Sequence, residues 1–174
     1  ARDWILQKTM TDPLTGLETL VAKDISGQRP AGWVNATSDL NALKAINDTY
    51  GHGAGDAVIA KLGEVVKEEV AKESGRAFRV GGDEITYWFP DREAANRALA
   101  AIDKRFANAS IEIGGKLKKG FTVSYGIGES ERVADIALYA DKETRTGLGQ
   151  RAERGQVPSS IVDAEAFKAN LEKV

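Results

Sequence analysis

Three carboxylates are spaced so that they could share a metal. Asp39 ends a run from Trp33 that reads as a short strand, and Asp83 and Glu84 follow paired glycines in "RVGGDEITYW", residues 79–88. Acids at strand ends meet a ligand yet are held by backbone hydrogen bonds, which is what magnesium asks of its few protein oxygens. If Asp39 and Asp83 lie on adjacent central strands, two Mg²⁺ ions could bridge triphosphate oxygens, activate an attacking hydroxyl and stabilise leaving pyrophosphate. Asp also suits turns for conformational reasons alone, so spacing leaves Asp83 open between metal ligand and turn residue.

Downstream of Asp39, "SDLNALK" offers unpaired N–H groups at a helix N-terminus with Lys44 one turn inside, a combination that attracts phosphate. No G-x-x-x-x-G-K-[ST] loop occurs, which argues against a P-loop nucleotidase. Asn47 and Asp56 bracket the corner "GHGAG". An amide and a carboxylate facing one pocket read a purine that donates from N1 and N2, which is guanine and not adenine. The plainer alternatives are a helix-end hydrogen bond for Asn47, an N-cap for Asp56 and a structural corner for His52.

Certain elements must position these groups. "TDPLTG", residues 11–16, is an ordered turn, followed by a short helical stretch around Leu17 to Lys23. "NALKAINDTYG" carries Leu43 and Ile46 and stops at Gly51, a natural C-cap. A longer helix is expected to open at Asp56, with Ile59, Leu62, Val66 and Val70 as one apolar stripe. Phe78 to Phe89 reads as two strands joined at Gly81-Gly82, where positive φ would serve a tight turn. A second amphipathic helix runs from Asp91 to Phe106, with Ala94, Leu99, Ile102 and Phe106 inward. Ile111 to Gly128 reads as one hairpin tipped by "GGKLKKG", with "FTVSYGIG" as its return strand. A helix from Val133 to about Thr144 carries Ile136, Leu138 and Tyr139, and the tail has a short helical pattern near Ala164 to Glu172. The fold class is α+β, a central mixed and largely antiparallel sheet flanked by helices, in one domain spanning 1–174.

Composition narrows the partners. Of 174 residues, 24 are basic and 26 acidic, a net charge of −2 with no broad footprint for a nucleic-acid duplex or an anionic membrane. The absence of cysteine excludes disulfides and thiolate metal sites, and one histidine makes a zinc site improbable. No apolar run approaches the roughly 20 residues needed to span a bilayer, and no basic-then-apolar leader opens the chain. A reducing, cytoplasmic setting is compatible with this. The start at Ala1 in place of Met suggests a piece cut from a longer protein.

Taken in order, "DPLTGL", "DLNALKAINDTYGHGAGD", "FRVGGDEI", "FTVSYGIG" and "ADIALYADK" resemble the GGDEF domain of diguanylate cyclases, which condense two GTP into cyclic di-GMP. The resemblance runs from about Thr11 to Lys142, with core motifs at about 11–145 and a tail at 146–174. It implies a sheet like the palm of nucleotidyl cyclases and polymerases. It also implies one GTP per chain, two Mg²⁺ (or Mn²⁺) ions per active half-site, a homodimer for turnover and a regulatory sensor domain elsewhere. On it, Asp39 and the carbonyl of Leu40 match metal-binding positions. Asp83 matches the acid associated with metal and with deprotonating the 3′-hydroxyl, and Glu84 is the second acid of the signature. Asn47 and Asp56 match the guanine-reading pair, His52 a position near base and ribose, and Lys44 and Lys142 phosphate-contacting lysines. An alternative implied by the same motifs is a weak or inactive module that binds GTP or a protein partner.

The departures are specific. Ile85 stands for the signature's Phe, Asn41 for a frequent Asp and Leu43 for a frequent Phe. "KETRTGLGQ" lacks the Gly-Arg-Asn run that usually follows the lysine, leaving Thr146 at the Arg position and Arg145 one place early. "LETL" replaces an Asn-Arg pair, and the short segment from Leu17 to Asp39 implies a trimmed first helix. At the positions of the family's Arg-x-x-Asp product-inhibition site stand Lys72 and Gly75.

Overall fold

The strand β2 (Val34–Leu40) is buried along nearly all its length, with hydroxyl, amide and apolar residues mixed, as suits a strand covered on both faces. The computed structural model describes residues 9–147 and 157–164. β2 lies between β4 (Glu84–Phe89) and β7 (Val123–Gly128), antiparallel to both. β3 (Arg76–Arg79) pairs antiparallel with the far edge of β4, and β1 (Glu18–Thr19) adds a parallel edge, giving the order β1-β3-β4-β2-β7. The sheet is mixed and largely antiparallel, as expected.

Register sorts the side chains. Ala36, Ile85, Tyr87, Phe89, Val123 and Ile127 point to one face, where α3 (His52–Lys72) and α4 (Arg92–Asn108) bury Ile59, Leu62, Val66, Val70, Leu99, Ile102 and Phe106. Asp91 caps α4 by accepting from the Ala94 amide at 2.7 Å. The opposite face carries α1 (Leu20–Ser26) near β3 and α5 (Glu131–Gly147) on β7 and β2. α5 lies close to β7 because Gly126 and Gly128 have no side chains. A Cβ on Gly128 would come within 2.6 Å of the Ala134 nitrogen, and one on Gly126 would collide with the Ala134 carbonyl. Asp141 then accepts from the Tyr125 amide at 2.9 Å, pinning the far half of α5.

Several sequence expectations are corrected. The first helix is Leu20–Ser26, preceded by Glu18–Thr19 in strand form, because the Thr19 hydroxyl caps it through the Ala22 amide. The long helix starts at His52, not Asp56: Gly51, at φ 94°, ends α2 (Leu43–Tyr50) and also begins α3, so one residue makes the whole turn. Asp56 is thus inside the helix and is not its N-cap. Gly81 and Gly82 do not adopt positive φ. The segment 111–128 is not one hairpin. β5 (Ile111–Ile113) and β6 (Lys116–Lys119) turn tightly at Gly114-Gly115, φ 58° and 80°, and form a second sheet with β8 (Val162–Asp163), while β7 joins the main sheet. Ile136 and Tyr139 on α5 are exposed, and Leu138 is buried. The helical pattern near 164–172 lies, beyond Ala164, outside the described residues, as do the side chains of Arg145 and Thr146. Among the described residues no helix is long and apolar enough to cross a membrane.

Candidate active site at the end of the central strands

Antiparallel register places Asp39, near the end of β2, directly opposite Glu84, the first residue of β4. Such pairs hold their Cβ atoms about 4.5–5.5 Å apart. Asp83 sits one residue earlier, in the turn, so the acid facing Asp39 across the ladder is Glu84. Burial, then the negative charge of Asp39, pushes the Asp83 carboxyl above the usual range. Glu84 is raised by burial first and then by Asp39, Asp135 and Asp83. Two cations act on the cluster: Lys142, whose Nζ lies 2.7 Å from the Asp39 carboxylate, and Arg79, whose charge also reaches Asp83.

The turn carrying Asp83 is held from outside. Arg79 donates from Nε and Nη2 to the Gly82 carbonyl at 3.0 and 2.8 Å, and from Nη1 to the Asp12 carboxylate at 3.1 and 3.2 Å. Asp12 is itself fixed by the Thr15 amide and hydroxyl, at 2.9 and 2.6 Å. Burial works to raise the Asp12 carboxyl, but those bonds and Arg79 leave it below the usual value. The opening "TDPLTG" turn is thus a clamp on the acidic hairpin. Gly82 has open space around its α-carbon. The paired glycines do not supply a left-handed bend.

At the end of β2, Asn41 takes over from the ladder. Its amide group donates to the Thr122 hydroxyl at 3.0 Å and accepts from the Ser124 hydroxyl at 2.9 Å, tying the strand end to β7. Ala42 is left-handed, φ 63°, a conformation that costs a non-glycine residue about 1 kcal/mol and is sustained by its surroundings. No side chain caps α2. Its first amides therefore lack a side-chain partner, and Lys44 in its first turn is exposed. Leu40 is buried and paired with Val123.

The base-reading candidates lie one helix further. The Asn47 Oδ1 accepts from the Gly55 amide at 3.0 Å, which is the helix-end bond the plainer reading anticipated. A side chain on Gly55 would collide with that amide group, so Gly55 is what lets α2 and α3 close on each other. Asp56 and His52 are exposed at this corner. Arg79, Asp12, Asn41 and Ala42 were not identified as site residues from the sequence. The "TDPLTG" turn chemistry was the available signal for Asp12; nothing in an alanine advertises positive φ.

The donor set fits a hard divalent cation: carboxylates and a strand-end carbonyl, with a lysine ammonium standing in on Asp39. Among the described residues no three His, Cys, Asp or Glu side chains already converge on one point.

A family model described as "Diguanylate cyclase, GGDEF domain" matches residues 9–148. Diguanylate cyclase A of Treponema denticola is 30% identical over 162 residues, covering 80% of this chain and 43% of that protein. An uncharacterised Streptomyces griseus protein, "in hutH 5'region", is 41% identical over 155 residues, 78% of this chain and 63% of its own. The chain thus spans less than two thirds of these relatives. Among solved structures, the coiled coil and GGDEF domain of DgcB from Caulobacter crescentus, crystallised with c-di-GMP, superposes with a TM-score of 0.71 at 26% identity, covering 82% of this chain and 85% of that one.

Proposed function

Because the chain belongs to the GGDEF diguanylate cyclase family, we propose that it condenses two GTP into cyclic di-GMP and two pyrophosphates. The observation that carries this is the register of Asp39 against Glu84 with Asp83 beside them, an acid cluster with two of its carboxyls held above their usual range. Carboxyls raised in this way concentrate at functional sites, and nucleotidyl transfer uses such acids to hold a divalent ion.

In this reading, guanine lies at the α2–α3 corner, its N1 and N2 donors met by the Asp56 carboxylate and the Asn47 amide oxygen, with His52 beside the ribose. The triphosphate runs back along the uncapped amides of α2 and Lys44. Lys142 exchanges Asp39 for a phosphate oxygen once the acids have a metal. Asp39, the Leu40 carbonyl, Asp83 and Glu84 would hold Mg²⁺ or Mn²⁺, which when bound supplies positive charge at the reacting phosphate and leaving group. Asp83, desolvated and within the field of Asp39, accepts the proton of the attacking 3′-hydroxyl. That oxygen bonds to the α-phosphorus of the GTP on a second copy of the chain as pyrophosphate departs, and the reciprocal step closes the ring. One GTP per chain makes a face-to-face homodimer necessary for turnover, and a sensor segment beyond this single domain is the reading for what sets its population.

The test is incubation with GTP and Mg²⁺ at high protein concentration, following pyrophosphate and cyclic dinucleotide. Product from GTP alone supports the reading, and its absence despite a folded protein removes it. The alternative, a module that binds GTP without turnover, is favoured by "KETRTGLGQ" in place of Gly-Arg-Asn. Calorimetric GTP binding with no conversion would select it.

A further inference from the structure

Between α1 and α5, over the outer face of β2 and β4, lies a cleft of about 190 Å³. At about 30 Å³ per water it would hold about six waters. Its floor is β2 and β4: Asn35, Thr37 and Thr86 side by side on neighbouring strands. Asn35 and Thr37 are only 4% and 3% exposed, yet Asn35 Oδ1 and Thr37 Oγ1 have no hydrogen-bond partner among the described residues. A buried polar atom left unpaired costs about 1–3 kcal/mol, so two of them side by side are features a ligand would relieve.

The charge on the walls says which ligand. Lys23 is committed to Glu131 at 2.7 Å, closing the rim from α1 to α5. That leaves Glu84 and Asp135 as carboxylates lining the cleft without that lysine's charge, and the Asp135 carboxyl is raised by burial, then by Glu131 and Asp39. Leu20, Val80 and Ala134 supply an apolar rim. A bare metal ion leaves part of this lining unused, because Leu20, Val80 and Ala134 take up part of the wall. A compact cation with several N–H donors and a short hydrocarbon stem fits each feature.

We propose that the α1–α5 cleft is a binding site for a small organic cation, an alkylguanidinium or alkylammonium group. Its donors meet Thr37, the Asn35 amide and Asp135, and its stem lies against Leu20 and Ala134. Since Glu84 lines both this cleft and the acid cluster, occupancy would place positive charge behind the site that Asp39 and Glu84 form.

The experiment uses the isotopically labelled full chain in excess EDTA, titrated with methylguanidinium chloride and, separately, with the uncharged isostere N-methylurea. The methyl resonances of Thr37 and Thr86 and the side-chain amide of Asn35 report binding. The expected result is a saturable shift with methylguanidinium, absent with N-methylurea, and weakened at least threefold by Asp135→Asn and by Thr37→Val. Asp135 is exposed on α5, so its variant keeps the test open should Thr37→Val fold poorly. The proposal is overturned by shifts that do not saturate, by equal responses to both probes, or by unchanged affinity in the variants. It is also overturned by shifts confined to the Asp39 and Lys142 end, or by Mg²⁺ alone reproducing the response.

Discussion

Replacing Glu84 by Gln should change stability in opposite directions with and without a divalent ion. In the metal-free protein Glu84 faces Asp39 across the ladder and is raised by Asp39, Asp135 and Asp83 after burial. Two unit charges about 5 Å apart repel by about 1 kcal/mol at the dielectric of water and about 3 kcal/mol at an effective value of 20. Glu84 is exposed and Lys142 already offsets Asp39, so the lower figure applies, about 1 kcal/mol. For a chain of this size that is a rise in Tm of about 2–4 °C for Glu84→Gln in EDTA. The pH dependence has a definite sign. A carboxyl raised in the fold binds more protons folded than unfolded, so its contribution is fully present below the ordinary value of 4.5 and is lost as pH climbs through the raised one. The advantage of the variant should therefore be small in acid and open as pH rises above 4.5. With Mg²⁺ at about 100 times its Kd the wild type gains about 2.7 kcal/mol, most of which the variant forgoes, and the order reverses. Thermal unfolding by circular dichroism, in EDTA and in Mg²⁺ across pH, measures all of this. A variant that melts below wild type in EDTA, or at the same offset in both conditions, would refute the claim that Glu84 stands in a repulsive, cation-seeking cluster.

Asp83→Ala should abolish cyclic dinucleotide formation while circular dichroism and Tm stay near wild type, and wild-type turnover would remove its assignment as the acceptor of the hydroxyl proton. High-affinity product inhibition through the Lys72 and Gly75 surface should be absent: Lys72 is paired with Glu69 at 2.9 Å, and a Cβ at Gly75 would lie 2.7 Å from the Phe89 ring. Micromolar or tighter cyclic di-GMP binding that a Lys72 substitution abolishes would contradict this. Ser38→Ala should cost about 1–3 kcal/mol in urea unfolding, because it strands the fully buried Tyr87 hydroxyl that now shares a 2.8 Å hydrogen bond with Ser38. Adding Tyr87→Phe should recover part of the loss, and additive losses would show that the bond is not what holds β2 to β4 there.

Local signals carried much of this protein. The α3 and α4 stripes, the Gly51 stop and the apolar strands follow from periodicity and from glycine's freedom at positive φ, which depend on neighbours in sequence. So did the identity of the acids, since Asp39, Asp83 and Glu84 were legible as strand-end carboxylates before any pairing was known. What a single chain of letters could not decide was which strand meets which. By sequence β7 reads as the return strand of a hairpin from Ile111, whereas in the fold it pairs with β2 and lies close under α5 at Gly126 and Gly128. Once that choice is made, Lys142 reaches Asp39 across 103 residues, Arg79 bridges Asp12 to Gly82, and Glu84 rather than Asp83 faces Asp39. These are long-range contacts whose partners carry no mark of one another, because their positions are set by the burial of side chains elsewhere. The two glycines of "RVGGDEITYW" show the division: their presence pointed to a turn, but only the fold showed that the turn needs no positive φ and that the space at Gly82 is open.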